Sequence, residues 1–291
     1  MRVRLQPNVV SGFSRTLTNV VSGFSRTLGK DDVTRRPTAM TAAVVLLVLS
    51  AALDAQWLKH PTPGIPRLPD GRADLSAPTP RTADGKPDLS GLWRASVNYI
   101  SDLTRGAKPG DVVMLPATEA LVRERRANFS RDDPSASCIP GGVPRSDLVS
   151  SAYPMRIVTA PGRVVVLYEA IHGWREIFTD GRSHPPDMNP TWMGYSIGRW
   201  AGDDFVVETA GFNDKGWLDN AGHPNTARLR VTERFRRKDF GHMDIDITID
   251  DPGAYAKPWT VTLPLLFQAD TELLEYICNE NNRYFEIVPK K

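Results

Sequence analysis

The sequence lacks most of the short motifs that identify a functional class. Its 291 residues include two cysteines, and neither lies in a CxxC motif or has a histidine at metal-ligand spacing. It contains no Gly-x-Ser-x-Gly element, phosphate-binding loop, dinucleotide fingerprint or His-Glu-x-x-His motif. These absences disfavour the common hydrolases, nucleotide-binding enzymes and zinc proteases. No cofactor and no metal ion are therefore expected.

Charge of one sign is also scarce. The chain has 36 basic and 34 acidic residues, a formal net charge of +2, which argues against a protein that coats nucleic acid. Its hydrophobic content is 41%, as in ordinary globular domains, and its 24 prolines and 22 glycines follow no fixed period. A collagen-like, coiled-coil or wholly disordered chain is therefore excluded.

The first 55 residues have the pattern of an export signal. Residues 9–16 recur as residues 20–27, and two arginines then precede an apolar run at residues 42–53. A basic flank, an apolar run of about a dozen residues and a final small residue are typical of a secretory signal peptide. We expect cleavage near Ala55 and a periplasmic or extracellular protein without a membrane span. The alternative is a retained membrane anchor. Translation from Met40 instead of Met1 would make the repeat an upstream artefact.

Export changes the interpretation of the two cysteines. In an oxidising compartment Cys138 and Cys278 would form one long-loop disulfide, and two separately buried thiols are the alternative. A bridge over so long a loop would stabilise the fold by about 3–5 kcal/mol, because it restricts the unfolded chain.

A proline-rich lead at residues 56–88 precedes the folded domain, which we place at residues 89–291. Prolines favour extended backbone with few hydrogen-bond donors. A short motif in the lead, at residues 70–76, is echoed at residues 84–90. We interpret the lead as a linker that packs along the domain surface. Within the domain, one helix is predicted at residues 116–129, where a proline begins a run of helix formers.

The clearest local structure is a β-hairpin at residues 228–250. A register that places Arg236 opposite Asp244 matches opposite charges along one face and apolar groups along the other. The same register pairs Arg234 with Asp246, Thr232 with Thr248, Arg230 with Asp250, Phe235 with Ile245, Glu233 with Ile247, and Val231 with Ile249. The basic run is then the solvent face of a strand rather than a phosphate site, and a cation site at the aspartates is a weaker alternative.

Turn residues and alternating polarity divide the rest of the domain into further strands. These strands are predicted at residues 156–160, 163–179, 195–200, 205–210, 260–268, 273–278 and 284–288. With a strand near Trp93, the total is about nine or ten. Such a meander must close or stack to bury its apolar face. We therefore predict a mainly β fold, an antiparallel up-and-down barrel with one short helix, and a β-sandwich as the alternative.

Loop length distinguishes the two ends of this barrel. Alternate connections of an up-and-down meander share one end, so the short connections lie together at a short-loop end, at residues 160–163, 201–204, 238–242 and 268–271. The opposite, long-loop end has the connections at residues 180–192, 211–227, 251–258 and 279–283, most of which are long. Long loops at one mouth favour a binding site there. Aromatic rings beside polar groups suit a sugar or another polar ring compound, and the alternative is that they cap the barrel and form turns. The predicted ligand-binding residues are Trp192, Trp217, Tyr255, Trp259, Asn213 and Arg175.

Four titratable residues are candidates for acid/base chemistry. Glu233 is the one carboxylate on the apolar face of its hairpin, where burial would favour the protonated acid. The alternative for Glu233 is a buried ion pair with Arg175 or Arg199. The remaining candidates, which would supply a second titratable group or a histidine and carboxylate metal site, are Asp214, His184 and His223.

Several longer motifs support a resemblance. They are DGKPDLSGLW at residues 84–93, GYSIGRWAGD at 194–203, TERFRR at 232–237 and EYICNEN at 275–281. Together they resemble a family of uncharacterised secreted proteins of soil bacteria, a resemblance that spans nearly all of the chain after the signal and implies no particular activity. The Gly-Leu-Trp element at residues 91–93 also resembles the Gly-x-Trp of the first strand in lipocalin-type barrels. The helix predicted after that strand departs from the lipocalin pattern.

Two functions follow from these features. The first is an exported β-barrel protein that binds a small molecule or glycan at the long-loop end, among the loop aromatic residues. The second is an acid/base hydrolase or lyase that acts on a carbohydrate-like substrate through Glu233 or Asp214. The enzyme requires Glu233 to be open to the barrel mouth. If Glu233 is instead sealed against an arginine, the enzyme loses its main candidate for the general acid or base.

Overall fold

The strands predicted from the sequence close into one barrel. The computed structural model describes residues 60–170 and 173–280, and nine strands lie within them. They are β1 (Gly91–Ala95), β2 (Met155–Ala160), β3 (Arg163–Tyr168), β4 (Trp174–Phe178), β5 (Tyr195–Ala201), β6 (Asp204–Ala210), β7 (Arg230–Arg237), β8 (His242–Asp250) and β9 (Trp259–Phe267). Each strand pairs with the next, and β9 pairs with β1. The predicted mainly β barrel is confirmed.

The hairpin of β7 and β8 has the predicted register. Phe235 lies opposite Ile245, and Glu233 lies opposite Ile247. All four side chains face the barrel interior and are buried. On the outer face, Arg236 pairs with Asp246 at 2.5 Å. The basic run is therefore the solvent face of a strand whose charge is balanced by aspartates of its neighbour.

Large side chains fill the barrel interior. Trp93, Phe205 and Met243 are at most 1% exposed. The inward position of Gly198 makes room for this packing, because a Cβ there would lie 2.4 Å from the Phe205 ring. Small barrels are commonly filled in this way, so a ligand site is expected outside the core.

One strand pair departs from the up-and-down pattern. β4 and β5 are parallel and share only two paired positions, Ile177 with Ser196 and Phe178 with Ile197. A parallel pair needs a connection that returns along the sheet. Residues 179–194 therefore begin at the short-loop end and finish at the long-loop end, whereas the sequence placed this whole loop at the long-loop end.

The single long strand predicted at residues 163–179 is wrong. The chain reverses between β3 and β4, and the two strands pair antiparallel, with Val166 opposite Arg175. At the reversal, the backbone N–H of Tyr168 donates to the carbonyl of Gly173 at 2.8 Å. Both arms are rich in β-branched and aromatic residues, and the residues between them, 169–173, contain one glycine and no proline, asparagine or aspartate. The sequence therefore gives only a weak signal for this turn.

The strand predicted at residues 273–278 is also wrong. These residues form no strand, because β9 already pairs with β8 on one side and β1 on the other. A closed barrel leaves no free edge for a further strand. The segment is held instead by the Cys138–Cys278 disulfide, with a Cα–Cα distance of 5.7 Å, which confirms the predicted pairing. The strand predicted at residues 284–288 lies outside the described residues.

Two helices lie in the long connection between β1 and β2. The helix α1 (Pro116–Ala127) matches the prediction and has proline in its first turn. The one-turn helix α2 (Arg145–Leu148) was not predicted, and it buries Asp147 and Leu148 against the barrel. Neither is long and apolar enough to cross a membrane, and the same holds for every helix of the described residues. The apolar run at residues 42–53 and the cleavage site predicted at Ala55 lie outside them.

The proline-rich lead packs against the short-loop end of the barrel. Its repeated motif forms the same tight turn twice, each closed by an isolated antiparallel bridge. Three residues before each copy an arginine contacts an aspartate at this end of the barrel: Arg67 pairs with Asp270 and Arg81 with Asp203, both at 2.6 Å. Within the first copy, the carbonyl of Leu75 accepts from the N–H of Gly241 at 2.8 Å. The short-loop end is thus covered by the lead.

Candidate functional site

Three of the predicted ligand-binding aromatic residues fill the long-loop end instead of lining an opening. Trp217, Tyr255 and Trp259 are at most 4% exposed. The guanidinium of Arg125 lies over the Trp217 ring, 4.2 Å from its centre, and the Tyr255 hydroxyl donates to the carbonyl of Pro224 at 3.2 Å. Burial raises the pKa of Tyr255. These rings cap the barrel, which is the alternative that the sequence left open.

The predicted polar candidates lie in separate environments. Asp214 is exposed, and the side chain of Asn213 accepts from the backbone of Lys215 at 3.2 Å as part of a turn. His184 is half-buried, with Nε2 3.1 Å from the carbonyl of Tyr195. Among the residues described, no hydrogen bond or ion pair joins any two of the four acid/base candidates.

His223 belongs to a buried pair with Asp219. Nδ1 of His223 lies 2.6 Å from Oδ2 of Asp219, and both side chains are at most 1% exposed. With Asp102 they form a group whose ligand atoms lie within 4.8 Å of one another, close enough to hold a metal ion. The carboxylates already accept protein hydrogen bonds, from the N–H of Leu103 to Asp219 and from Thr104 to Asp102. The group therefore fits a structural network at least as well as a metal site.

Glu233 is sealed against Arg175 inside the barrel. Glu233 is 0% exposed, and Nη1 of Arg175 donates to its Oε1 at 3.1 Å, with a second contact between Nη2 and Oε2. The guanidinium also donates to the hydroxyls of Ser196 at 2.9 Å and Thr209 at 2.7 Å. The N–H groups of Arg175 therefore point to partners in the interior. Glu233 has the buried ion pair that the sequence offered as its alternative role.

A second buried carboxylate lies beside this pair. Asp147 is 1% exposed, and its Oδ2 lies 3.9 Å from Nη1 of Arg175, with no hydrogen-bond partner among the described residues. The Tyr168 hydroxyl donates to its other oxygen at 2.8 Å. Burial, reinforced by the negative charge of Glu233, raises the pKa of Asp147 to about 7. One arginine thus faces two carboxylates, and the interior has a group that titrates near neutral pH.

An open hollow lies on the outside of the barrel, at the seam between β4 and β5. It has a volume of about 580 Å³. We call it the seam pocket, and its main side chains are Trp174, Glu176, Phe178, Trp192, Met193 and Tyr195. The short parallel pairing explains its place, because the two strands separate toward the long-loop end.

Strand alternation positions the β4 wall of the seam pocket. Arg175 and Ile177 point inward, so Trp174, Glu176 and Phe178 share the outer face. Trp174 is 63% exposed, which is unusual for so large an apolar side chain. A carboxylate therefore lies between two aromatic rings on the barrel surface.

The opposite wall comes from the chain that enters β5. Phe178 and Tyr195 stack across the seam with ring centres 5.2 Å apart. Trp192 is placed by the loop before α2: Gly142 has φ +74°, and a Cβ there would lie 2.5 Å from the Trp192 carbonyl. Only glycine allows that loop to approach so closely.

Sequence reasoning found part of this pocket. Trp192 and Arg175 were predicted as ligand-binding residues and both line it. The prediction did not include Trp174, Phe178 or Tyr195, because it places Trp174 and Phe178 within one long strand at residues 163–179 and Tyr195 in the strand at residues 195–200. A signal was present: the outward positions of Trp-Arg-Glu-Ile-Phe carry two large aromatic rings where a solvent-facing strand would carry polar groups. No protein-family model matches the chain, and no curated protein is similar to it, so the interpretation of this site depends on its own geometry.

Proposed function

We propose that this protein binds a small, largely apolar, aromatic molecule in the seam pocket. The observation that supports the proposal is an open pocket of about 580 Å³ walled by four aromatic side chains. Sites for small molecules commonly measure about 300–1,000 Å³ and have mainly apolar and aromatic walls with a few polar groups. The exposed ring of Trp174 supplies apolar surface that a ligand would cover.

The seam pocket is not at the position predicted from the sequence, which was the long-loop end of the barrel. The interior is packed, and the predicted ligand-binding rings Trp217, Tyr255 and Trp259 are buried, so they line no opening. A glycan is a weaker ligand for the seam pocket. Sugar recognition needs several polar groups around the rings, and Glu176 is the main polar side chain at these walls.

We place this binding activity in an oxidising compartment outside the cytoplasm. The Cys138–Cys278 disulfide supports that location, because such bridges persist mainly in exported proteins. The signal pattern at the N-terminus and the resemblance to secreted proteins of soil bacteria agree with it, and both stay predictions. The acid/base enzyme is not proposed, since Glu233 is sealed against Arg175.

A ligand screen with matched tryptophan variants tests the proposal. The purified protein is screened by thermal shift and by quenching of tryptophan fluorescence, with aromatic compounds and sugars as probes. We expect aromatic compounds to bind, and Trp174→Ala to abolish binding with little loss of stability, since Trp174 is mostly exposed. Trp200→Ala is the control, because Trp200 lies on β5 but does not line the pocket.

Different results would contradict the proposed site and the proposed class of ligand. Binding that survives Trp174→Ala, or that is lost equally in both variants, contradicts the seam pocket as the site. Binding of sugars alone contradicts the aromatic class of ligand.

A further inference from the structure

The charge of the pocket walls points to a narrower class of ligand. We infer that the seam pocket selects flat aromatic molecules that carry a delocalised positive charge, such as aryl amidines and aryl guanidines, over neutral or anionic molecules of the same shape. The inference rests on the proposed function, since it concerns the same site. Three features of the pocket support it.

The first feature is the charge that a ligand would meet. Arg175 and Glu176 are the charged residues at the pocket walls. Four hydrogen bonds join the guanidinium of Arg175 to Glu233, Ser196 and Thr209, and its side chain is 2% exposed, so little of it is accessible to an anion. The carboxylate of Glu176 lies on the outer face and is 24% exposed. The guanidinium of Arg182 lies over the Phe178 ring, but it is paired with Asp180. The charged group that the pocket walls themselves offer to a ligand is therefore the carboxylate of Glu176.

The second feature is that Glu176 is held only by a surface ion pair. Its partner is Arg163 on β3, whose side chain is 50% exposed. Such pairs contribute about 0–1 kcal/mol, because water screens them and both side chains lose freedom. A ligand cation between the aromatic rings is partly removed from water. It can therefore compete with Arg163 for the Glu176 carboxylate.

The third feature is that one wall already binds a planar cation of the protein itself. The guanidinium of Arg182 lies over the Phe178 ring, 3.9 Å from its centre, and donates to the Tyr195 hydroxyl at 3.0 Å. Asp180 holds it in place at 2.5 Å. This arrangement shows which chemistry the wall accepts, since flat cations are attracted to aromatic faces.

The tryptophan rings leave room for a second cation. Among the described residues, cations lie over Phe178 and over rings elsewhere, but none over Trp174 or Trp192. Tryptophan is the aromatic side chain that attracts cations best. The pocket volume of about 580 Å³ also exceeds what one guanidinium needs, so an aromatic scaffold would fill the rest.

A matched set of three compounds tests the inference. 2-Naphthamidine, 2-naphthamide and 2-naphthoate have nearly the same shape and are positive, neutral and negative at neutral pH. Their affinities for the intact protein are measured by isothermal titration calorimetry. We expect the amidine to bind about tenfold more tightly than the amide, and the carboxylate to bind most weakly.

Two glutamine variants assign the preference to the pocket. Glu176→Gln should remove most of the advantage of the amidine while leaving the amide unchanged. Glu208→Gln is the matched control: Glu208 forms a similar exposed pair with Arg199, at 2.7 Å, away from the pocket, and its loss should change neither affinity.

The results test the charge preference separately from the proposed binding at the seam pocket. If the amide binds as tightly as the amidine, or the carboxylate binds more tightly, the charge preference is overturned while the seam pocket stands as the binding site. The same holds if Glu176→Gln leaves the preference for the amidine intact. If none of the three compounds binds, both the charge preference and the proposed function are overturned.

Discussion

The buried carboxylate of Asp147 makes stability depend on pH in an unusual direction. Its pKa rises from 3.8 to about 7 in the folded protein, chiefly because of burial and then because of the negative charge of Glu233. The folded protein therefore keeps a proton that the unfolded chain loses between about pH 4 and pH 7. Asp147 therefore makes its full contribution to the free energy of unfolding below about pH 4. This contribution is lost as the pH rises to about 7.

The magnitude follows from the size of the pKa change. A rise from 3.8 to about 7 is about three units, and each unit corresponds to about 1.4 kcal/mol. Asp147 should therefore lower the free energy of unfolding by up to about 4 kcal/mol between acidic and weakly alkaline conditions. Substitution Asp147→Asn replaces the acid by a neutral amide of similar shape, whose oxygen still accepts from the Tyr168 hydroxyl.

Urea unfolding at a series of pH values measures this effect. Wild type and Asp147→Asn should be similarly stable at about pH 4, and the variant should become more stable by up to about 4 kcal/mol at about pH 8. The difference between the two proteins removes the contributions of other titrating groups. Asp187→Asn is the control, because Asp187 is exposed and its loss should leave the pH profile unchanged.

A difference between wild type and Asp147→Asn that stays constant from acidic to alkaline pH would refute this reasoning. It would mean that Asp147 keeps the same protonation state as the unfolded chain across the whole range. Greater relative stability of the wild type at high pH would show that the ionised carboxylate is stabilised, with Arg175 as the obvious cause.

Three further predictions concern the contacts that hold the barrel. Arg175→Met should lower the free energy of unfolding by about 3–5 kcal/mol in urea titrations, because it leaves buried carboxylates without their cation; a loss below about 1 kcal/mol would contradict this. Reduction of the Cys138–Cys278 bridge should cost about 2–5 kcal/mol, seen as a lower Tm with reductant, and an unchanged Tm would argue against a structural role. Arg81→Ala should accelerate hydrogen exchange in the second turn of the lead while the strands stay protected, since its contact to Asp203 is exposed; equal acceleration in the strands would show that the lead supports the whole barrel.

Local alternation was sufficient to predict much of the barrel. The register of β7 and β8 followed from two matched rows of side chains, because a slip of one residue would expose Phe235 and bury Arg236. The turns at Pro161-Gly162 and at residues 201–204 were likewise visible, since they carry residues that tolerate unusual backbone angles. In such elements neighbours in sequence are also neighbours in space.

The reversal between β3 and β4 shows where this reasoning stops. A strand that continues and a strand that turns back can have the same β-forming composition, and the choice depends on whether both arms find partners in the closed sheet. The parallel pairing of β4 with β5 also depends on closure of the whole sheet into a barrel. It brings β4 beside β5, and this pairing creates the seam pocket.

The sequence predicted the residue types of the candidate site better than the position of the site in the fold. The aromatic rings of the long loops were identified, but nothing local distinguishes Trp217, which caps the barrel, from Trp192, which lines the pocket. That difference depends on what packs against each ring, such as the Arg125 guanidinium over Trp217. Glu233 was identified as unusual from its position among apolar neighbours, and its partner Arg175 lies 58 residues away in the chain.

The sequence by itself therefore determined the β character, the hairpin register, the two cysteines that pair and the repeated motif of the lead, because each follows from local patterns or from residue chemistry. Tertiary structure alone decided the parallel seam, the filled barrel mouth and the raised pKa of Asp147. The physical reason is that closure of the barrel and desolvation of its interior depend on all nine strands together, so no short segment contains that information.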